Sequence, residues 1–338
     1  MKRIDIPSSD GVTVAALDLG SNAFHLLVAR VDDNGRMVIQ ERVSRYARLG
    51  QKTLVEGRIG DEAFGEALRT IGQLRGLALP HRPEIWRCIA TSAVREAENG
   101  AEFVASVRAE LGLNVRVVSE SEESRLIYQA VASGLDNLID RMVVVDVGGG
   151  STGITLGDSR YAVMSSSLRV GALRLRDQWD LGDPPAPPMV SLMADWVRVA
   201  VGRVANHFCD AGFASVVFTS GSALALARII GQRLPSVGQV AHYFLPLDRL
   251  RAFESDVVGM SVEDRLHHEV LVEGGRAEYI VEACIIIRTI MELLGIDGAL
   301  VSTMALRDGL AMDAAQAYRR GSAVLDASEL NLISQSWS

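Results

Sequence analysis

"VVVDVGGGSTG" (Val143–Gly153) and "AALDLGSNAF" (Ala15–Phe24) each drive an apolar strand into an aspartate and then at once into a turn of glycines and small hydroxyl or amide residues. An ordinary hairpin needs one or two special turn residues, not an acid followed by a row of small ones. Glycine lets backbone N–H groups converge on an anion with no Cβ in the way, so Gly148, Gly149 and Gly150 read as an anion cradle. Ser21, Asn22, Ser151 and Thr152 add side-chain donors. Asp18 and Asp146, at the strand ends, stand where a hydrated Mg²⁺ bridging phosphate oxygens would be held. A plain tight turn with a capping aspartate explains either copy alone. Two copies at equivalent places favour a phosphate clamp.

Working outward, the first half reads as strands at Val14–Leu19, Phe24–Val31 and Met37–Tyr46, separated by the turn-forming "GSN" and "DDNG". A helix follows with Phe64, Ala67, Leu68, Ile71 and Leu74 on one face. The strand "IWRCIA", a helix from about Ala101, the strand "VRVVS" and a helix from about Glu122 to Ser133 complete it. The second half repeats the order, with strands Met142–Val147, Ile154–Gly157 and Tyr161–Ser166 and then helices. Two α/β halves, each opening on a meander whose first turn carries D-x-G, predict a duplicated fold closing over a cleft. The expected domains are residues 1–136 and 137–315, with a tail at 316–338. "DPPAPP" (Asp183–Pro188) reads as a stiff surface loop.

With 338 residues, 48% of them apolar, the chain is long enough for two cores. It has no run of the ~18 uncharged apolar residues that a membrane helix needs, and Met1–Gly11 is too polar and acidic for a signal peptide, so a cytoplasmic protein is expected. Cys88, Cys209 and Cys284 are scattered in apolar context and read as buried reduced thiols. A net charge of -8 argues against nucleic-acid binding but permits a local basic cleft. Lys2 and Lys52 are the only lysines, a bias that reads as the codon usage of a GC-rich bacterial genome, so an anion site must be built from guanidinium groups. The histidines show no metal-ligand spacing and read as surface or core residues.

Two further stretches carry chemistry. "ATSAVREAENG" (Ala90–Gly100) puts Thr91 and Ser92 at a helix start and Arg95 on its first turn, where a guanidinium grips phosphate or pairs with Glu96 or Glu98. "SESEESRLIY" (Ser119–Tyr128) crowds Glu120, Glu122 and Glu123 at another helix start. From the run alone, capping against the helix dipole is the plainer reading, and a carboxylate that deprotonates an attacking water is the functional one.

Taken in order, "LDLGSNAFHLLVARV", "YARLGQ...EGRI", "ATSAVREAENG", "SEESRLIYQAV", "VVVDVGGGSTG", "SSLRVGALRLRDQW" and "GGRAEYIVEACIIIRTIMELLGI...LVSTMALRDGL" resemble the exopolyphosphatase and guanosine pentaphosphate phosphatase family over about Val14–Ala311. The resemblance implies an α/β, duplicated actin-like fold of the sugar kinase/Hsp70/actin superfamily. It also implies hydrolysis of terminal phosphoanhydrides with Mg²⁺ or Mn²⁺, on inorganic polyphosphate or guanosine pentaphosphate. By motif, Glu123 matches the catalytic base, Asn22, Arg95, Gly149, Gly150, Ser151 and Thr152 the phosphate-binding residues, Asp146 the metal-site acid, and Arg276 a second-domain arginine that meets the polyanion. The resemblance thus turns Glu123 from cap to base.

Three departures from the family pattern stand out. Gly153 occupies the place of a glutamate, so a weakly active enzyme or a silent binder of polyphosphate or (p)ppGpp is the alternative, beside a pppGpp 5′-phosphohydrolase. "TSGSALALA" (Thr219–Ala227) replaces a more glycine-rich loop, and Lys52 replaces a glycine. The additional C-terminal helical domain of longer members is not expected here. A homodimer is left open.

Overall fold

The structure is a computed structural model that describes residues 11–32, 37–135, 141–158, 161–236 and 240–319. The turn at 33–36, the boundary at 136, the end of the "GDSR" turn and most of the expected tail lie outside the described residues.

Lobe one is a five-stranded sheet of β1 (Val12–Leu19), β2 (Ala23–Val31), β3 (Met37–Tyr46), β4 (Ile85–Ala90) and β5 (Val115–Val117), ordered β3-β2-β1-β4-β5. β1, β2 and β3 form an antiparallel meander, and β4 and β5 join in parallel. Its helices are α1 (Thr53–Glu56), α2 (Asp61–Ala78), α3 (Ser92–Glu96), α4 (Gly100–Leu111) and α5 (Glu120–Ser133).

Lobe two adds β6 (Met142–Val147), β7 (Thr152–Gly157), β8 (Ala162–Leu168), β9 (Ser215–Thr219), β10 (Gln232–Arg233), β11 (His242–Pro246) and β12 (Gly298–Ser302), ordered β10-β11-β12-β9-β6-β7-β8. Its helices are α6 (Ala172–Gln178), α7 (Pro187–Ala211), α8 (Gly221–Ile230), α9 (Leu247–Val258), α10 (Val262–Arg265), α11 (Glu269–Val272) and α12 (Ile280–Leu293), followed by α13 (Leu306–Arg319). The stretch β8-β7-β6-β9-β12 repeats the order and the strand directions of lobe one. This is the duplicated actin-like fold. "DPPAPP" runs directly into α7, with Pro187 in its first turn, where a missing N–H costs nothing.

Strand alternation explains the layers. In β1, Ala15, Leu17 and Leu19 face outward onto α2 and α4, which present Ala67, Ile71, Leu74, Phe103 and Val107. In β6, Val143, Val145 and Val147 face the corresponding outer core with α7 and α12. The other faces, with Val14 and Ala16 in β1 and Met142 and Val144 in β6, meet in a central core shared by both lobes.

That central layer is two helices exchanged between halves. α5, from the end of the first half, packs on β7 and β8, and α13, from the end of the second, packs on β1 and β2. They touch where a Cβ on Gly309 would stand 2.1 Å from the Leu126 carbonyl oxygen, so only glycine admits the crossing. His242 Nε2 and the Gly134 carbonyl, 2.8 Å apart, tie the C-terminal end of α5 to lobe two. α12 is apolar almost all round, yet carries the buried Glu282, whose Oε2 has no hydrogen-bond partner. Burial raises its pKa to about 7, against the pull of Arg176 and Arg265.

A carboxyl whose pKa is raised on folding contributes stability while it is protonated, and that contribution is lost as pH rises from its unfolded value towards its folded one. Stability should therefore fall by roughly 2–3 kcal/mol from this group between pH ~4.5 and ~7. Glu282→Gln should flatten that part of the profile, as read by denaturant melts of both proteins across the range.

Candidate active site

Asp18 and Asp146 are the penultimate residues of β1 and β6, and both continue the central-face alternation, so the two carboxylates meet at the floor of the cleft between the lobes. Asp146 is raised to about 8 by burial first, then by Glu123 and Asp18. Asp18 is raised to about 7 by burial and by Glu123, with Arg307 opposing. Asp18 Oδ1 is buried with no hydrogen-bond partner.

The glutamate run on α5 divides by direction. Ser119 caps the helix by accepting from the Glu122 amide, and Glu122 pairs outward with Arg116 at 2.6 Å. Glu123, on the turn behind them, points inward to the two aspartates, and its Oε2 accepts from Arg95 Nη1 at 3.0 Å. Burial raises the Glu123 pKa against the pull of Arg95. Arg95 thus pairs with neither Glu96 nor Glu98: Nη1 also bonds the Val118 carbonyl, and Nη2 lies 3.8 Å from Glu120 with no hydrogen bond of its own.

The glycine loop is positioned from behind by α6. Ala172 N–H donates to the Gly148 carbonyl at 3.1 Å, Arg174 N–H to Gly149 at 3.0 Å, and Arg174 Nε to Gly150 at 2.7 Å. In a planar trans peptide the next N–H points opposite to the carbonyl, so the amides of Gly149, Gly150 and Ser151 are turned away from α6 as a row. Gly171 makes this possible: a Cβ there would stand 2.4 Å from the Gly149 oxygen.

The remaining expected residues fall as follows. Ser21 shares a 2.9 Å hydrogen bond with Ser92, joining the first turn to the start of α3. Asn22 donates to the Tyr279 hydroxyl across the cleft at 2.8 Å. The Thr152 hydroxyl donates to the Val170 carbonyl at 2.5 Å, so it holds the loop's frame. Arg276 sits at the cleft mouth, with Nη1 on the Glu273 carbonyl, its guanidinium 5.9 Å above the Tyr46 ring, and Nε unpartnered. Lys52 meets lobe two through its backbone, whose N–H donates to Asp177, while its side chain is exposed. Arg48 pairs with Glu278 at 3.1 Å, and a cavity of about 120 Å³ lined by Asn22, Arg48, Gln51, Arg176 and Tyr279 lies between the lobes.

Two residues with no role assigned from the sequence belong here. Arg307, half-buried at the start of α13, acts on Asp18, and its buried Nε has no hydrogen-bond partner. His25 stands beside Asp18 in register and bonds Ser44, and burial with the field of Arg307, Arg276 and Arg42 lowers its pKa to about 3, keeping it neutral. The thiol expectation is corrected at one position: Cys88 and Cys284 are buried, but Cys209 is exposed on α7.

Among the described residues no three His, Cys, Asp or Glu side chains form a metal site by themselves. A divalent ion nevertheless fits the donors present. Asp18 and Asp146 are hard oxygen ligands in a desolvated pair, and Asp18 offers an oxygen that nothing else uses. Such an ion would take its other ligands from phosphate oxygens and water, the habit of Mg²⁺. Gly153 pairs with Asp146 on the central face, and a Cβ there would meet only Ser124 Oγ, at 3.7 Å. Its φ is not positive, so the position accepts a side chain.

With this geometry in place, comparison with known proteins is decisive. The Ppx/GppA phosphatase family matches residues 27–317. The chain belongs to that family. Exopolyphosphatase 1 of Mycobacterium tuberculosis is 28% identical over 319 residues, covering 94% of this chain and 92% of its own. That of Mycobacterium leprae is 29% identical over 316 residues, covering 93% of each. Among solved structures, the Aquifex aeolicus Ppx/GppA family member superposes with a TM-score of 0.74 at 26% identity, over 89% of this chain and 97% of its own. An exopolyphosphatase from Cytophaga hutchinsonii shares the fold with a TM-score of 0.81 at 22% identity, over 91% and 98%. Membership places the chain among phosphoanhydride hydrolases.

Two glycines of the site separate by their surroundings. Gly171→Ala must displace the glycine loop and should lower the thermal midpoint by several degrees, whereas Gly153→Ala should leave it unchanged or raise it; paired melts decide. Ser220, which caps α8 with φ 118, sits where glycine is at ease. Ser220→Gly should stabilise by about 1 kcal/mol, the relieved strain exceeding the small loss on replacing a serine cap by glycine, and denaturant titration reads it.

Proposed function

We propose that the chain is an exopolyphosphatase that removes terminal phosphate from inorganic polyphosphate in the cytoplasm, with Mg²⁺ or Mn²⁺ as its ion. The observation that carries this reading is the inward-turned Glu123, held by Arg95 beside Asp18 and Asp146, together with a glycine loop whose carbonyls are turned back onto α6. The names of the mycobacterial relatives support the substrate. Free thiols and the lack of any membrane-crossing helix among the described residues agree with the compartment.

In this reading the amides of Gly149, Gly150 and Ser151 and the guanidinium of Arg95 hold the oxygens of the terminal phosphate. Glu123, made more basic by burial, accepts a proton from a water that attacks phosphorus. The bridging P–O bond breaks, inorganic phosphate leaves, and the polymer is one unit shorter. A divalent ion held by Asp18 and Asp146 would neutralise phosphate charge when bound. Arg48, Arg176 and Arg276 line the way out of the cleft, where a polyanion needs cations. Positioning and charge neutralisation carry most of such a reaction.

Glu123→Gln keeps shape and removes the proton acceptor. kcat for phosphate release should drop ~10²- to 10⁴-fold with KM little changed. Release is measured on polyphosphates of several lengths, guanosine pentaphosphate and ATP, with Mg²⁺ and with chelator. Full activity in the variant would remove Glu123 from its role, and a higher kcat/KM on guanosine pentaphosphate would move the substrate to that nucleotide.

A further inference from the structure

The stretch "SSLRVGALRLRDQW" places Arg174 on α6, where it is 4% exposed and yet touches both lobes. Within its own lobe, Nε fixes the Gly150 carbonyl at 2.7 Å. Across the cleft, Nη1 donates to the Leu54 carbonyl of α1 at 2.8 Å, and Nη2 to both carboxylate oxygens of Glu96 on α3, at 2.8 and 2.9 Å. Glu96 adjoins Arg95, the residue that holds Glu123. One guanidinium therefore sets the last carbonyl of the glycine loop and docks it on the helix that carries Arg95.

This bridge lies beside a polar cleft of about 860 Å³ lined by Arg95, Glu96, Ser119, Arg169 and Arg174, so parting the lobes exposes the pair to water instead of leaving it buried and unmatched. A buried ion pair is poor evidence for stability as such, because desolvation offsets most of the attraction. A pair that is satisfied when the lobes are closed and hydrated when they are open biases the equilibrium modestly towards the closed state, which suits a latch that can be released.

We propose that Arg174 is a positioning residue, a latch that holds the glycine loop opposite Arg95 only when the lobes are closed. Its effect on turnover rests on the proposed exopolyphosphatase reading. Its effect on lobe separation does not.

The test uses the full chain as wild type, Glu96→Gln and Arg174→Lys. Electron–electron distance measurements, with spin labels on the exposed Cys209 of α7 and on a Glu62→Cys substitution on α2, read the lobe separation without substrate. Glu96→Gln keeps every bond to the Gly150 and Leu54 carbonyls, so folding does not depend on the lost charge. The wild type should give one short distance, and both variants should populate longer ones. Because apparent affinity falls with the closed fraction, KM for polyphosphate should rise on the order of tenfold in Glu96→Gln with a smaller change in kcat. Arg174→Lys, which also frees the Gly150 carbonyl, should lower kcat as well. Variants whose melting temperature drops while distances, kcat and KM stay at wild-type values would reduce Arg174 to a structural residue and overturn the proposal. If the wild type releases phosphate from no polyanion, the functional reading fails, and the distances alone decide the latch.

Discussion

Three carboxylates within reach of one another, Asp18 buried and Asp146 and Glu123 half-buried, set the terms for the rest of this molecule. Asp18, Asp146 and Glu123 each raise the cost of ionising a neighbour, on top of the larger cost of leaving water. A charged group in such a place is tolerated only beside compensating charge. Arg95 supplies some of it from lobe one, bonded to Glu123, and Arg307 supplies more from α13, acting on Asp18. Those two guanidiniums do not quench three acids, so the site has an electrostatic demand that a cation and a cleft open to solvent can meet. The central layer follows from this need: α5 and α13 deliver Glu123 and Arg307 to the strand ends from opposite halves of the chain.

Duplication places the acids, and divergence makes them unequal. In lobe one the central-face row across the strands is Ile89, Asp18, His25 and Ser44, and in lobe two it is Thr219, Asp146, Gly153 and Ser167. His25 and Gly153 are thus counterparts. The first is a neutral ring fixed to Ser44 between the acid and a group of arginines. The second leaves space beside Ser124, one residue from Glu123. The same register that fills one half leaves room in the other.

What the sequence made legible was whatever period two and local turn chemistry determine. Met37–Tyr46, Ile85–Ala90 and Met142–Val147 are strands with the expected bounds, and the doubled D-x-G motif located both aspartates. β1, β2 and β7 begin a residue or two earlier than expected because pairing extends them into the turn, as at Thr152, whereas β8 begins one residue later, at Ala162, and runs on to Leu168. The exchange of α5 and α13 was invisible, since an amphipathic helix shows that it packs but not on which sheet. Arg174 and Arg307 lay inside quoted motifs, but their partners Leu54, Glu96 and Asp18 are far away in sequence. Cys209 was misplaced because an apolar neighbourhood in sequence does not fix which face of α7 a residue occupies.

The glycine loop shows why a motif is necessary and still insufficient for its chemistry. Three glycines permit a row of outward amides, but glycine equally permits many other backbone paths and loses more conformational entropy than any other residue when one is chosen. Here the choice is made by α6, whose two backbone N–H groups and one guanidinium take the three loop carbonyls in succession. α6 can come that close only because Gly171 lacks a side chain. The anion site is therefore a property of two segments some twenty residues apart, in which the second spends its hydrogen-bond donors on orienting the donors of the first. The free energy that fixes the loop comes from folding, so the amides are already aimed before an anion arrives, which is the condition under which fixed dipoles serve a reaction best.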